Sequence, residues 1–292
     1  MKILVIGCVK FSSEMLKELI SMGENIVGVC TTKSSNFNND HFNLGIISEK
    51  NNIPTSYLED INSYESIKWI KEKNPDIIFC LGWSRLIKKD LLDYKNGIIG
   101  YHPTALPMNR GRHPLIWALV LGLKKSGSTF FFMDKNADSG DIISQEIFDI
   151  ENNDDASSLY EKIINISKIQ IKDILLNFKT NKITRTTQNN KLSNYWRKRN
   201  IKDGEIDWRM SGESIHNLIK ALTHPYPGAH FYFGKKEIKV WSSKYIKQSA
   251  DNIEPGKILN ISKNNFKIKT GDGIIQILDW SPKIKIQEGD YL

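Results

Sequence analysis

The sequence predicts an α/β protein: a mainly parallel sheet with helices on both faces, followed by a small β-rich domain. In the first half, apolar runs such as KILVIGC and DIIFC are continuous rather than alternating, and segments with helical spacing lie between them. Strands buried on both faces have this pattern when helices cover a parallel sheet. In the last third, short strand-like runs are separated by Gly and Asn pairs, which is typical of a small β domain.

Strands and helices alternate along the first half. KILVIGC predicts the first strand, and SSEMLKELISMG predicts a helix capped by Ser12 or Ser13 and stopped by Gly23. NIVGVCTT predicts the second strand, and a polar loop follows at residues 33–45. The remaining predictions are helices in HFNLGIISEKNN, SYESIKWIKEKN and PLIWALVLGL, and strands in PDIIFCLGW, NGIIGYH, GSTFFFMD and DIISQEIFDI.

The second half begins with one long helix and then changes character. DDASSLYEKIINISKIQIKDILLNF has helical spacing, and Asp154 or Asp155 can cap it. The polar, basic stretch KTNKITRTTQNNKLSNYWRKRN resembles a linker. Beyond it, the helix SGESIHNLIKAL precedes short strands in a barrel-like arrangement. We therefore expect a first domain at residues 1–190, a linker at 191–203 and a small C-terminal domain at 204–292.

Composition bounds the class of protein without selecting a ligand. The 292 residues are 40% apolar and include 41 basic and 33 acidic side chains, a net charge of +8. That charge suits nucleic acid, nucleotides or folate carboxylates equally. No apolar run approaches the ~18 residues needed to cross a bilayer, and the N-terminal run lacks a cleavage signal. Cys8, Cys30 and Cys80 have no pairing or metal spacing, so we expect reduced thiols and a soluble cytoplasmic protein without membrane contact.

His102 is the histidine best placed for chemistry. It ends a short predicted strand, and Pro103 stops regular structure immediately after it. Ligands of parallel α/β sheets bind beyond the carboxyl ends of the strands, where such a histidine can act as a general base. Asp138 stands in the predicted turn of DKNADSGDII, where a carboxylate could orient the imidazole and hold its tautomer. Taken alone, Asp138 is also explained as a turn-capping residue.

Two further features bear on the ligand class. Arg110 and Arg112 flank Gly111 before a predicted helix, so they are either a solvated pair or a phosphate site formed with the helix N-terminus. Gly7 follows the first strand, but the three spaced glycines of a dinucleotide fingerprint are missing, so we do not expect NAD. The histidines show no metal-ligand spacing, and we expect no metal.

Two motifs occur in a defined order and spacing. HPTALPMNRGRHPLIWALVLG begins at His102, and Asp138 in ADSGDI follows 36 positions later (138 − 102 = 36). This pair resembles the folate-dependent formyltransferases, a superfamily with methionyl-tRNA, glycinamide ribonucleotide and nucleotide-sugar members. GEIDWRMSGESIHNLIKALTHPYPGAHF resembles the start of the second domain in the tRNA and sugar enzymes. The resemblance covers most of the chain and implies a Rossmann-like formyl-folate domain followed by a small β domain.

The resemblance also implies roles for individual residues. His102 would take a proton from the amine that attacks the formyl carbon of N10-formyltetrahydrofolate, and Asp138 would steady the imidazole. No metal is needed for this reaction. The residues implied to bind the folate are Trp83, Ser84, Arg85, Leu86, Ile87, Asp138, Ser139, Gly140 and Asp141. Those implied to bind the acceptor substrate are Phe11, Arg110, Arg112 and Trp117.

Gly100 departs from the family pattern. The family has an asparagine two residues before the histidine, where it helps to hold the developing oxyanion, and removal of one such donor can cost ~10²–10³ in rate. A glycine leaves room for a water or for another side chain, and Tyr101, Asn96 and Asn109 are near in sequence. Because His102, Asp138 and the folate-side segments all occur together, we expect a working enzyme.

The acceptor is expected to be a nucleotide-linked, UDP-type 4-amino-deoxysugar on the way to surface polysaccharide, with a pseudaminic-type precursor as one specific candidate. RGRHP and PYPGA resemble the sugar branch, whereas tRNA enzymes have Arg-Gly-Ala-Ala in the loop and a longer C-terminal barrel. Methionyl-tRNA formylation is the first alternative. A folate- or sugar-nucleotide-binding protein without turnover, and a formyl-folate hydrolase, are the others. The oligomeric state is left open, with a homodimer as the candidate assembly.

Overall fold

A computed structural model describes residues 1–35, 39–248 and 252–292, and these residues form two compact units. The first unit consists of Met1–Pro114, Lys125–Phe148 and Glu161–Trp196, and the second of Leu115–Lys124, Asp149–Tyr160 and Arg197–Leu292. Two segments from within the predicted first domain therefore belong to the second unit. The linear division at residues 190 and 204 stays a prediction. Of the predicted loop at 33–45, positions 36–38 lie outside the described residues.

The first unit is built on a seven-stranded sheet with the order β3-β2-β1-β4-β5-β7-β8. Strands β1 to β5 pair in parallel, and β7 pairs antiparallel to β5. The mainly parallel sheet predicted from the continuous apolar runs is confirmed. The strands are β1 (Lys2–Ile6), β2 (Asn25–Thr31), β3 (Thr55–Tyr57), β4 (Ile77–Cys80), β5 (Ile98–His102), β6 (Arg110–Gly111), β7 (Lys125–Phe132), β8 (Ile142–Asp149) and β9 (Tyr195–Trp196).

Helices alternate with these strands, as the helical spacing predicts. Ser63 caps the third helix by accepting the backbone N–H of Ser66, and Asp155 accepts the N–H of Ser158 at the start of the long helix. Asp155, rather than its neighbour Asp154, therefore provides the N-cap. The helices are α1 (Lys10–Ser21), α2 (Gly45–Lys50), α3 (Tyr64–Glu72), α4 (Lys89–Leu92), α5 (Pro114–Val120), α6 (Ala156–Lys179) and α7 (Gly212–Leu222).

The first helix begins earlier than predicted. Val9 is its N-cap, and both Ser12 and Ser13 lie inside the helix and are buried. The hydroxyl of Ser12 donates to the carbonyl of Leu81, 2.5 Å away, in the segment that follows β4. The prediction that Ser12 or Ser13 caps this helix was wrong. Ser12 lies inside the helix, and its hydroxyl bonds the helix to the segment that follows β4. Gly23 does follow the helix, with a left-handed φ of 70°.

Three short strands of the first unit, β3, β6 and β9, were missed in the sequence. β3 has three residues at the sheet edge and no apolar run. β9 lies in the stretch that resembles a linker, yet it pairs in parallel with β6. A two-residue strand has no periodic pattern of apolar residues. β9 is recognised only by its pairing with β6, in which Tyr195 lies opposite Arg110, 85 positions earlier in the chain. The segment before Trp196 is therefore part of the first unit.

The second unit contains a five-stranded antiparallel sheet with the order β10-β11-β14-β13-β12. Helix α7, capped by Ser211, packs against β11. No ladder joins β10 to β12 within the described ranges, so the sheet of the second unit is open there, whereas the sequence predicts a barrel-like arrangement. The β-rich character predicted for this part of the chain is confirmed. The strands are β10 (Ala229–Phe233), β11 (Lys236–Ile246), β12 (Ile258–Ser262), β13 (Asn265–Lys269) and β14 (Ile274–Ser281).

The three cysteines are free and buried. Burial raises the pKa of the Cys30 and Cys80 thiols well above the ordinary range, so these side chains behave as small apolar core residues. Within residues 1–35, 39–248 and 252–292, no helix has the length and apolar content that crossing a membrane requires.

Candidate active site

His102 is the last residue of β5 and is 5% exposed. Its strand pairs with β7 in a register that sets His102 opposite Thr129. The N–H of Thr104 donates to the carbonyl of His102, 2.9 Å away, and this bond closes a turn around Pro103. The strand therefore ends at the residue whose side chain the sequence analysis singles out.

The two nitrogens of the His102 ring have different surroundings. Nε2 lies 2.8 Å from the carbonyl oxygen of Asn109. A carbonyl can only accept, so Nε2 carries the hydrogen and donates it. Nδ1 is then left with a lone pair in the neutral ring. Asn109 has a φ of 63°, a left-handed conformation that asparagine tolerates better than most residues.

Asp138 faces Nδ1 rather than Nε2. Its Oδ2 lies 3.7 Å from Nδ1 of His102, which is too long for a direct hydrogen bond. The same oxygen accepts the backbone N–H of Gly111 at 2.9 Å. The carbonyl of Asn109 therefore fixes the tautomer of the ring, whereas the sequence analysis gave that task to Asp138. The expected pairing of His102 with Asp138 is present, but its triad-like geometry is not.

The loop that contains Asp138 is tightly held. Asp134 accepts both the N–H of Asn136 and the hydroxyl of Ser139 through Oδ1. Asp138 has a left-handed φ of 57°. A Cβ on Gly140 would overlap the carbonyl oxygen of Phe132, so no larger residue fits that position. These constraints hold the carboxylate of Asp138 in one place.

Gly100 is not the open position that the sequence suggested. A Cβ there would lie 2.8 Å from Cγ of Met133 and 3.0 Å from the ring of Phe131. The space that an asparagine would need is therefore filled by apolar side chains. We expected room for a water or a polar side chain at Gly100, and this expectation was wrong.

Gly100→Asn is expected to destabilise the protein by ~1–3 kcal/mol, because adding atoms to a packed core forces neighbours to move. It is not expected to raise turnover. Met133→Ala in the same chain should recover much of the stability by making room. Denaturant unfolding of wild type, the single variant and the double variant, with steady-state rates on each, provides the measurement. A single variant that is as stable as wild type and much faster would contradict this picture.

The three donors considered as substitutes for the family asparagine differ in where they lie. The hydroxyl of Tyr101 is 3.0 Å from that of Ser128, and burial raises its pKa to about 12. The side-chain amide of Asn96 donates to the carbonyl of Asp76. Asn109 contacts His102 through its backbone. Of the three, only Asn109 touches the imidazole.

The loop from Trp83 to Ile87 follows β4. Trp83 packs partly against the apolar core of the sheet, and its indole N–H is buried without an acceptor among the described residues. Leu86 is 66% exposed, while Ile87 is buried. Arg85 donates to the carbonyl of Glu59. The assignment of this loop and of residues 138–141 to the folate stays a prediction.

The two arginines of the RGR motif have opposite environments. Arg110 is 2% exposed, and its guanidinium donates to Gln188, Asn190 and Tyr195. The guanidinium of Arg110 is therefore held by neighbouring side chains, and its role as a substrate contact stays a prediction. Arg112 is exposed, and its guanidinium donates to the carbonyl of Ser84 at 2.7 Å.

Phe11 and Trp117 were also expected to contact the acceptor. Phe11 is 4% exposed and stacks on the ring of Tyr101 with 4.1 Å between centroids. It packs in the core of the first unit, and its role as a substrate contact stays a prediction. Trp117 belongs to the second unit, where its indole N–H donates to the carbonyl of Arg197 and Arg199 lies 4.6 Å above its ring. Its role as a substrate contact stays a prediction.

Sequence reasoning missed Gln188 and the role of the Asn109 backbone. Asn109 acts through its carbonyl, which carries no residue-type signal beyond the tolerance of asparagine for positive φ. Gln188 lies in the stretch interpreted as a linker and donates to the carbonyls of Asp138 and Gly140. Among the described residues, no group of three or more His, Cys, Asp or Glu could hold a metal ion.

Family models match both halves of the chain. The model described as formyl transferase matches residues 1–174, and the model of the formyl transferase C-terminal domain matches residues 200–289. The first match alone covers more than half of the 292 residues. The chain belongs to the formyl transferase family. The α/β fold and the enzyme class expected from the resemblance are thereby confirmed.

Relatives of this formyltransferase include a polymyxin resistance protein and methionyl-tRNA formyltransferases. It is 35% identical over 265 residues, 90% of its length, to the bifunctional polymyxin resistance protein ArnA of Wigglesworthia glossinidia brevipalpis. It spans only 40% of the length of that protein. It is also 30% identical over 299 residues to the methionyl-tRNA formyltransferase of Alkaliphilus oremlandii, covering 100% of this chain and 96% of the relative.

Solved structures share the fold of this formyltransferase. The N-formyltransferase from Helicobacter canadensis, in complex with folinic acid and dTDP-3-aminofucose, has a TM-score of 0.72 at 22% identity. The match covers 96% of this chain and 99% of that chain. At this identity the likeness shows the fold alone.

Proposed function

We propose that this formyltransferase moves the formyl group of N10-formyltetrahydrofolate to the amine of a nucleotide-linked sugar. The observation that carries the proposal is the separation of 3.7 Å between Nδ1 of His102 and Oδ2 of Asp138. Both atoms accept hydrogen bonds when the imidazole is neutral, because Nε2 holds the ring hydrogen. A primary amine has two N–H groups and can donate one to each atom.

The chain's own residues then account for the proton transfers. The folate supplies a formyl group activated on N10. As the amine nitrogen bonds to the formyl carbon, Nδ1 of His102 accepts one amine proton, and the carboxylate of Asp138 stabilises the resulting imidazolium. When the bond from the formyl carbon to N10 breaks, Nδ1 returns that proton to N10. The products are a formamide and tetrahydrofolate, and His102 is neutral again.

The loop after β4 suits the donor. Leu86 presents an exposed apolar side chain, and such surface is favourable for a flat aromatic ligand. The Helicobacter canadensis structure is described as a complex with folinic acid, which is a formylated tetrahydrofolate. We infer that residues 83–87 and 138–141 of this chain contact the folate, as the family resemblance implies.

Arg112 favours a nucleotide-linked acceptor. Its exposed guanidinium is two residues from buried Arg110 and is held beside Ser84, and a planar guanidinium suits the diphosphate of a nucleotide sugar. The same Helicobacter structure is described as containing dTDP-3-aminofucose. We infer a UDP- or dTDP-linked amino-deoxysugar, with a UDP-4-amino-deoxysugar as the first choice and a pseudaminic-type precursor as one specific form.

Methionyl-tRNA is the second candidate acceptor. The observation in its favour is the 30% identity to a methionyl-tRNA formyltransferase across the whole chain. The aminoacyl amine of that substrate fits the same pair of acceptor atoms. It differs in needing an extended basic surface rather than one exposed arginine beside the site.

Mass spectrometry of the products tests the proposal. The protein is incubated with N10-formyltetrahydrofolate and, in separate reactions, UDP- and dTDP-linked 3-amino and 4-amino sugars or methionyl-tRNA. We expect the mass increase of one formyl group on a nucleotide sugar. Formylated methionyl-tRNA with every sugar unchanged would overturn the proposed acceptor. No product with any acceptor would support a binding protein without turnover.

A further inference from the structure

Arg110 lies in a buried network of neutral side chains. Its Nε and one terminal nitrogen donate to Oε1 of Gln188 at 3.2 and 2.7 Å. The terminal nitrogens also donate to Oδ1 of Asn190 at 2.9 Å and to the hydroxyl of Tyr195 at 3.1 Å. No carboxylate pairs with this guanidinium among the described residues. Burying an arginine without a carboxylate is costly, so the network requires an explanation beyond packing.

Gln188 connects this arginine to the loop that contains Asp138. Because its Oε1 receives two N–H groups from Arg110, the orientation of the side-chain amide is fixed. Its Nε2 then donates to the carbonyl of Asp138 at 3.0 Å and to the carbonyl of Gly140 at 2.7 Å. Gln188 is 6% exposed, and both N–H groups of its amide are used.

Asp138 accepts a further hydrogen bond from β6, the strand that contains Arg110. β6 consists of Arg110 and Gly111 and pairs with Tyr195 and Trp196 of β9. The N–H of Gly111 donates to Oδ2 of Asp138. The strand therefore holds the carboxylate directly, and through Gln188 it holds the backbone on both sides of Ser139. Together these bonds restrain the distance from Oδ2 to Nδ1 of His102.

We propose that Gln188 is a positioning residue for catalysis. Arg110 orients its amide, and the amide clamps the carbonyls of Asp138 and Gly140 so that the carboxylate faces Nδ1 of His102. This inference rests on the role that the proposed function gives to Asp138. If Gln188 acts in this way, kcat depends on the two N–H groups of its amide. A side chain that only fills the space beside Arg110 is not sufficient.

Two matched substitutions separate these effects. Gln188→Glu and Asn190→Asp each replace an amide by a carboxylate that contacts Arg110, and each offers it an ion pair. Only Gln188→Glu removes donors to the loop and turns a negative oxygen toward two carbonyls. We expect kcat to fall by about 10-fold to 10²-fold in Gln188→Glu. Asn190→Asp should remain close to wild type in kcat.

A second readout does not require the acceptor. In nitrogen-15-labelled free enzyme, the imidazole shifts of His102 should move in Gln188→Glu and stay in place in Asn190→Asp. Gln188→Met, which has a similar shape and no N–H group, should behave like Gln188→Glu. Thermal unfolding of all three variants identifies any that fail to fold, and kinetic comparison uses the folded ones.

The outcomes distinguish this inference from the proposed function. Equal losses in Gln188→Glu and Asn190→Asp, or wild-type kcat and unmoved His102 shifts in Gln188→Glu, would overturn the positioning role. If Asp138→Asn is inactive while Gln188→Glu is fully active, only the positioning role fails. If Asp138→Asn is fully active, the role of Asp138 itself fails, and the positioning role fails with it.

Discussion

His102→Gln is expected to lower kcat by ~10²–10⁴-fold, the usual contribution of a general base. Glutamine can still donate to the carbonyl of Asn109, which now accepts from Nε2 of His102, so the turn after β5 should persist. What it lacks is a basic nitrogen facing Asp138. Folate binding should change little, because no residue of the loop at 83–87 is altered.

The experiment pairs steady-state rates with equilibrium binding of 5-formyltetrahydrofolate. A His102→Gln enzyme that retains more than a tenth of wild-type kcat would remove His102 from the mechanism. Loss of folate binding together with turnover would point to a folding defect instead.

Asp138→Asn is expected to lower kcat by ~10²–10³-fold, as for the removal of one preorganised electrostatic contact. Asparagine can accept the N–H of Gly111 through its side-chain oxygen, as Asp138 does now. The negative charge 3.7 Å from Nδ1 is lost, so the imidazolium formed during the reaction is less stable. The loss should be smaller than in a Ser-His-Asp triad because Asn109, not Asp138, fixes the tautomer.

The appropriate control is Asp134→Asn, in the same loop, which keeps an oxygen for Ser139 and Asn136. It removes a charge of the same sign without removing the one that faces His102. Comparable losses in both variants would indicate general disruption of the loop. A large loss confined to Asp138→Asn is the expected result.

The fold was predictable because buried strands and helices have characteristic patterns of apolar residues in the sequence. Continuous apolar strands separated by helices define a covered parallel sheet. His102 stands out because it ends a predicted strand, and Asp138 because it lies in a predicted turn. The long-range parts were not predictable. Which of Arg110 and Arg112 is buried depends on the pairing of β6 with β9, whose two residues give no periodic pattern.

The same limit applies to the surroundings of Gly100 and Phe11. The space beside Gly100 is occupied by Phe131 of β7 and by Met133 just after that strand, and a glycine in a sequence does not reveal what packs against it. Phe11 stacks on Tyr101, 90 residues further along the chain (101 − 11 = 90). Asn109 was considered for its side chain, but its backbone carbonyl makes the contact with His102, and every residue has a carbonyl.

In the proposed mechanism, His102 receives the amine proton at Nδ1, and nitrogen-15 NMR of the imidazole shows which ring nitrogen is free to do so. Labelling of the six histidines, with His102→Gln for assignment, gives the shifts of both ring nitrogens in the neutral state. We expect a protonated Nε2 and an unprotonated Nδ1, because the carbonyl of Asn109 lies 2.8 Å from Nε2. A neutral ring protonated at Nδ1 would place the basic nitrogen away from Asp138 and contradict the account.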